Sequence, residues 1–252
     1  MSKFIDVIRG LRSVTIRTYC SFTRPHLPLP SIVIIFAPHP DDEVFGCCGL
    51  MQRMLVEGRR VELIIMTGGG KSHSSCCDIN EEELIRNRRQ LTRNAATIYG
   101  LPEEHIHFLD YPDGGVSVSD ENTKLLDSIL KKIVDSCAES DLAVFYPHSV
   151  GEGWSDHLRT SEIAKQLCAT ICPEAKQYEY CVWFWFYNCW RIDWKNAFTL
   201  KMTKQEHANK LQAIQDYVTP IAPCGKPWSG TLPKIMVEAC KWKRELYFET
   251  SL

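Results

Sequence analysis

The sequence predicts a single α/β domain of Rossmann-like type, with a mostly parallel sheet and helices on both faces. Three observations predict it. Strand-like and helix-like segments alternate from residue 31 to residue 187. Two of the strand-like runs, 31–38 and 141–148, are almost wholly apolar rather than alternating, as strands covered on both faces are. Polar clusters sit where those runs end, and open α/β sheets bind ligands beyond the carboxyl ends of their strands.

The elements follow in order. "SIVIIFAP" (31–38) reads as a buried strand, and "EVFGCCGLMQRMLVEG" (43–58) as a helix stopped by Gly58. "RVELIIMTGGG" (60–70) is a second strand running into a glycine loop. "NEEELIRNRRQLTRNAATIYG" (80–100) is a helix with Asn80 as N-cap and acids in its first turn. "HIHFLDY" (105–111) is strand-like. "TKLLDSILKKIVDSC" (123–137) carries a helical apolar stripe at 125, 126, 129, 130, 133 and 134. "DLAVFYPH" (141–148) is a buried strand, "SDHLRTSEIAKQLCAT" (155–170) a helix, and "QYEYCVWFWFY" (177–187) a further strand. Beyond 188 the pattern is less regular, with a helix at 203–218 and a Pro/Gly-rich loop at 219–230. Residues 1–30 form an N-terminal extension to a domain spanning 31–252.

Composition limits the function classes. The chain has 252 residues and is 44% hydrophobic and 24% charged, which suits one globular domain. A net charge of −2 gives no case for nucleic acid. The longest apolar stretch, "CVWFWFY", is far below the roughly 20 residues of a membrane-spanning helix. Twelve cysteines contain no CxxC pair, which argues against a thiolate zinc knuckle. The start of the chain has no secretory apolar region, and free thiols fit a reducing cytoplasm.

The chemistry concentrates in "APHPDDEVFG" (37–46). Three carboxylates beside an imidazole repel one another unless a cation holds them. A hydrolytic zinc site uses about three protein ligands and one open position. His39 leaves the strand and Asp42 follows three residues later, so both turn to one point. Asp41, between them, points elsewhere and is placed to take a proton from bound water. The third ligand belongs on another strand end, where "SDH" offers His157 and His148 is the competitor. His73, His105, His107 and His207 read as surface or hydrogen-bonded imidazoles. "GGGK" lacks the Walker spacing and reads as a substrate loop.

"APHPDDE" after a first strand, with a distant "DH" opening a later helix, resembles the LmbE-like (PIG-L) zinc-dependent N-deacetylases over roughly residues 31–170. "RRQLTRNAATIYGL" and "FLDYPDGG" are similar to that family's arginine-bearing helix and Asp-Gly loop. The resemblance implies His39, Asp42 and His157 as zinc ligands and Asp41 as general base. It implies Arg88 and Asp113 on the substrate side. It also implies a substrate carrying N-acetylglucosamine, small or lipid-linked. Two positions depart from the family pattern. Trp154 stands where the family often has a histidine that serves the oxyanion or the leaving amine, and Leu91 where it has an acid. His148 or His73 would then supply the missing imidazole, and Trp154 an aromatic face for a sugar ring. Asp156 is expected to orient a neighbouring ligand. The alternative is a zinc- and sugar-binding module of the same fold with little turnover. The N-terminal segment, with Lys3, Arg9, Arg12 and Arg17 among apolar residues, is a candidate for peripheral membrane contact.

Overall fold

The apolar runs form strands because their side chains are buried on both faces. The computed structural model describes residues 2–74, 77–118, 121–187, 190 and 192–250. Helix α1 (Ser2–Thr23) precedes β1 (Ile32–Ala37), α2 (Asp42–Val56), β2 (Arg60–Thr67), α3 (Glu81–Tyr99) and β3 (Ile106–Tyr111). Then come α4 (Asn122–Val134), β4 (Leu142–Pro147), α5 (Ser155–Ile171) and β5 (Lys176–Tyr180). The chain ends with β6 (Ala197–Lys201), α6 (Lys204–Val218), α7 (Lys234–Cys240) and β7 (Arg244–Thr250). The expected start and stop signals act as such. Asn80 accepts the Glu82 N–H at 2.7 Å, and Gly58 bends out of α2 at φ 69°.

The strands form one sheet in the order β3-β2-β1-β4-β5-β7-β6. Pairings from β3 through β5 are parallel, and β7 runs antiparallel to both β5 and β6. Alternate residues of β1 enter two separate cores. Val33, Ile35 and Ala37 pack with residues of α2, α3 and α6. Ile32, Ile34 and Phe36 pack with residues of α4 and α5. The chain winds outward from β1 through β2 and β3, then returns to β1's other side as β4. This reversal opens a crevice beyond the carboxyl ends of β1 and β4, where such sheets bind ligands.

Two expectations are corrected. The aromatic run at 177–187 is not one strand: β5 ends at Tyr180, and Trp183–Trp185 is a 3₁₀ turn. The buried Glu152 carboxylate causes this, taking the N–H groups of Val182, Trp183 and Phe184 at 2.9, 2.8 and 3.0 Å. Those donors are lost to any ladder. The segment beyond 188 is also regular, adding an antiparallel pair and two helices. Thr203 and Glu206 form a capping box at the start of α6. The N-terminal segment packs on the domain: Ile16 and Cys20 are buried, and Arg12 Nη1 donates to Phe184 O at 2.9 Å.

Helix α2, which carries the motif, is fastened from behind. Glu245 accepts the Gly49 and Leu50 N–H groups at 2.8 and 2.9 Å. Lys210 Nζ, 1% exposed, donates to Glu245 at 2.7 Å and to Phe45 O at 2.9 Å. Removing one partner of a buried pair leaves an uncompensated charge. Lys210→Met is therefore expected to cost about 3–5 kcal/mol, read as a lower urea midpoint at unchanged m-value.

Candidate metal and catalytic site

The motif sits in the turn from β1 into α2. Asp42 opens α2, and its Oδ2 accepts the His39 N–H at 3.0 Å. The same oxygen lies 3.3 Å from His39 Nδ1 and 3.3 Å from His157 Nε2. His157 comes from the first turn of α5, beyond β4, and the two imidazole centroids are 5.4 Å apart. The fold thus brings together three residues from two strand ends, and their ligand atoms all lie within 4.8 Å of one another.

The donor set fits a divalent cation. His157 is fully buried, and neither ring nitrogen makes an aligned hydrogen bond, although Asp42 and Glu152 are at ion-pair distance. A buried imidazole nitrogen with no aligned hydrogen bond, beside a carboxylate oxygen, suits the role of a metal ligand. Two ligands about 2.0–2.1 Å from a tetrahedral zinc would stand roughly 3.3 Å apart, matching both Asp42 separations. Charge points the same way. Burial disfavours protonated His157, yet Asp42 and Glu152 outweigh it and push its pKa up to about 9. Burial likewise opposes the Asp42 carboxylate, and the His157 and His39 imidazoles hold it well below the usual range. The carboxylates demand positive charge, which a metal would supply in place of protons.

A second layer orients these groups. Glu152 Oε2 faces His157 Nδ1 at 3.0 Å, leaving Nε2 toward Asp42. Asp156 and Asp113 approach His39 Nε2 at 3.2 and 3.4 Å, leaving Nδ1 toward Asp42. Asp156 also accepts the Gly114 N–H at 2.7 Å, and Asp113 the Lys71 N–H at 2.7 Å. Carboxylate–imidazole pairs of this kind fix ring orientation at metal sites.

Asp41 is held apart from the trio. Its φ of 148° is a strained value for a residue with a side chain. Glu43 Oε2 accepts its N–H at 2.9 Å, and Tyr217 donates to Glu43 Oε1 at 2.7 Å. Arg88, 3% exposed, donates to Pro40 O at 2.8 Å, Gly69 O at 3.0 Å and Asp41 Oδ2 at 3.1 Å. Burial pushes the Asp41 carboxyl up to about 6, against the pull of Arg88. Gly69, at φ 65°, lets the guanidinium approach, since a Cβ there would collide with Arg88 Nη1.

The remaining expected residues are placed as follows. Arg88 acts on Asp41, and Asp113 on His39. Trp154, half exposed, packs edge-on against Trp183 at 5.4 Å. His148 takes the Val150 N–H at 2.9 Å and packs between Phe184 and Phe248, making no contact with the trio among the described residues. His73 bonds Pro227 O. A groove of about 370 Å³ bordered by Gly114, Val116, Ser155, Asp156 and Arg159 opens beside Asp156. Sequence reasoning missed Glu152 and Tyr217. An acid between two glycines carries no signal for a metal-site partner, and the tyrosine is distant in the chain.

Fold and site together define a metal-dependent amide hydrolase, an N-deacetylase. The family described as GlcNAc-PI de-N-acetylase, PIG-L, matches residues 34–168, and the chain belongs to it. An uncharacterized deacetylase, YaiS, from Escherichia coli K12 is 25% identical over 150 residues, covering 58% of this chain and 72% of that protein. The structure is similar to that of N,N'-diacetylchitobiose deacetylase from Pyrococcus horikoshii, with a TM-score of 0.58 and 24% identity. That match covers 74% of this chain and 69% of the other. GalB, a 4-carboxy-2-hydroxymuconate hydratase from Pseudomonas putida KT2440, shares the fold at a TM-score of 0.59 and 14% identity, over 88% of this chain and 96% of its own. One fold thus hosts different reactions, and the site has to carry the function.

Glu152→Gln is expected to weaken divalent-metal affinity about 10–100-fold, as loss of such an orienting partner does, measured by calorimetric titration of the metal-stripped chain. Unchanged affinity would detach Glu152 from the site.

Proposed function

We propose that the chain removes the acetyl group from an N-acetylglucosamine-type amino sugar, with zinc held by His39, Asp42 and His157 and with Asp41 as general base. The observation that carries this reading is the 3.3 Å approach of one Asp42 oxygen to both imidazoles, beside a carboxylate kept out of the trio. Zinc in that position would supply an activated water at neutral pH and polarise the acetyl oxygen.

The chain's own residues do the rest. Asp41 takes a proton from the attacking water, and Arg88 and the Glu43 acceptor hold it in place. The new C–O bond forms at the acetyl carbon. The proton passes to the sugar nitrogen as the C–N bond breaks, and acetate and a free amine leave. Trp154, against Trp183, offers a rim for the sugar ring. Arg88 and Asp113 are spent on Asp41 and His39, so their part in substrate binding runs through those two groups. With Trp154 in place of an imidazole and His148 packed among aromatics, Asp41 serves as both acceptor and donor of the proton.

Asp41→Asn is expected to retain zinc while turnover falls by about 10²–10⁴-fold, the usual worth of a positioned base. Metal analysis and amine release from a panel of N-acetylated sugars measure the two separately. Full activity in this variant would remove the base.

The carrier is read from α1. Phe4, Val7, Leu11, Val14 and Phe22 lie exposed at helical spacing, with Asp6 the helix's acid. We infer a lipid surface as the partner of this stripe, and hence a lipid-linked sugar. Among the described residues no helix is long and apolar enough to cross a membrane. The buried thiols Cys20, Cys47 and Cys48 suit a reducing, cytoplasmic setting. The chain is expected to sediment with phosphatidylserine vesicles, and Leu11→Asp with Phe22→Asp to abolish this. Equal sedimentation of parent and variant, or none by the parent, would sink the inference.

A further inference from the structure

A second group of ligand-type side chains lies outside the site just described. His73 is in the loop after β2, and Cys77 follows four residues on. Cys224 arrives from the loop between α6 and α7, 151 positions from His73. The Cys77 Sγ lies 3.5 Å and the Cys224 Sγ 3.4 Å from one atom, His73 Nδ1. All three ligand atoms fall within 4.8 Å of one another. His73 is 1% exposed, and the two thiols are partly covered.

We propose that His73, Cys77 and Cys224 bind a thiolate-preferring cation, zinc, at a site separate from His39, Asp42 and His157. The geometry supports this in two ways. His73 Nε2 faces Pro227 O at 2.8 Å, which assigns the ring proton to Nε2 and turns the Nδ1 lone pair toward both sulfurs. Zinc–nitrogen and zinc–sulfur bonds of about 2.0–2.1 and 2.3 Å give a tetrahedral N···S edge of roughly 3.5 Å, as seen for both cysteines. Binding would release the two thiol protons to solvent. The absence of a CxxC pair argued against a thiolate zinc knuckle; the group here is drawn instead from two loops far apart in the chain.

The cation would clasp two loops. Ser72 already donates to Trp228 O at 3.2 Å, and a side chain on Gly230 would press on Ser72 O. The His73 loop also reaches the first site, through Lys71 N–H on Asp113 and Asp113 on His39. A clasped loop fixes that wall.

Cobalt substitution tests this. The full chain, purified under reductant and stripped of metal, is titrated with Co²⁺. The parent is expected to show a thiolate-to-cobalt charge-transfer band in the near ultraviolet. Asp42→Ala should keep the band, because the first site has no sulfur ligand, and Cys224→Ser should lose it. Cys77→Ala, in a partly exposed loop, is a second variant expected to lose it if Cys224→Ser fails to fold. Zinc content should be one equivalent lower in either cysteine variant than in the parent. No band in the parent, a band that survives both cysteine substitutions, or a Cys77–Cys224 disulfide mapped in place of bound metal would overturn the proposal. A band in the parent with no deacetylation leaves this site standing and fails only the first.

Discussion

The crowding of carboxylates beyond the carboxyl ends of β1, β3 and β4 governs the rest of this structure. Asp42, Asp113, Glu152 and Asp156 all face the imidazoles of His39 and His157, and Asp41 stands beside them. Little water reaches these groups, so their mutual repulsion is barely screened. Two imidazoles and the Arg88 guanidinium answer part of the charge. The remainder is the charge that the divalent cation proposed for the trio would answer.

That constraint explains the backbone around it. Asp41 cannot join Asp42 beside the imidazoles without placing two carboxylates on one point, and the chain turns it away through a strained φ of 148°. Strain of this sort costs about 1–3 kcal/mol and persists because neighbours over-determine it. Glu43 takes the Asp41 N–H, and Arg88 holds its carboxylate and the Pro40 carbonyl. Gly69 then has to be glycine, since the guanidinium occupies the space a side chain would need. The glycine loop after β2 is shaped by an arginine rather than by a phosphate.

Glu152 links this chemistry to the fold. One carboxylate closes three backbone N–H groups and faces His157. It ends β5 and curls the aromatic run that follows, so Trp183 comes to lie against Trp154 at the rim. The same curl lets Phe184 O receive Arg12, which anchors α1 to the domain. The site's supporting shell and the seat of the N-terminal helix are therefore one piece of structure.

The sequence by itself determined the alternation of elements, the parallel sheet and the motif at its first crossover, because these depend on local periodicity and on residues within a few positions of one another. His39, Asp41 and Asp42 were legible for that reason, and Asn80 and Gly58 as helix signals. Only the tertiary structure decided that His157 and not His148 reaches Asp42, that Glu152 overrides the strand preference of an aromatic run, and that β7 inserts between β5 and β6. It also decided that His73 meets two cysteines. Each of these rests on contacts between residues far apart in the chain, where burial makes a single unpaired polar group more costly than any local preference, and no local pattern records which partner arrives.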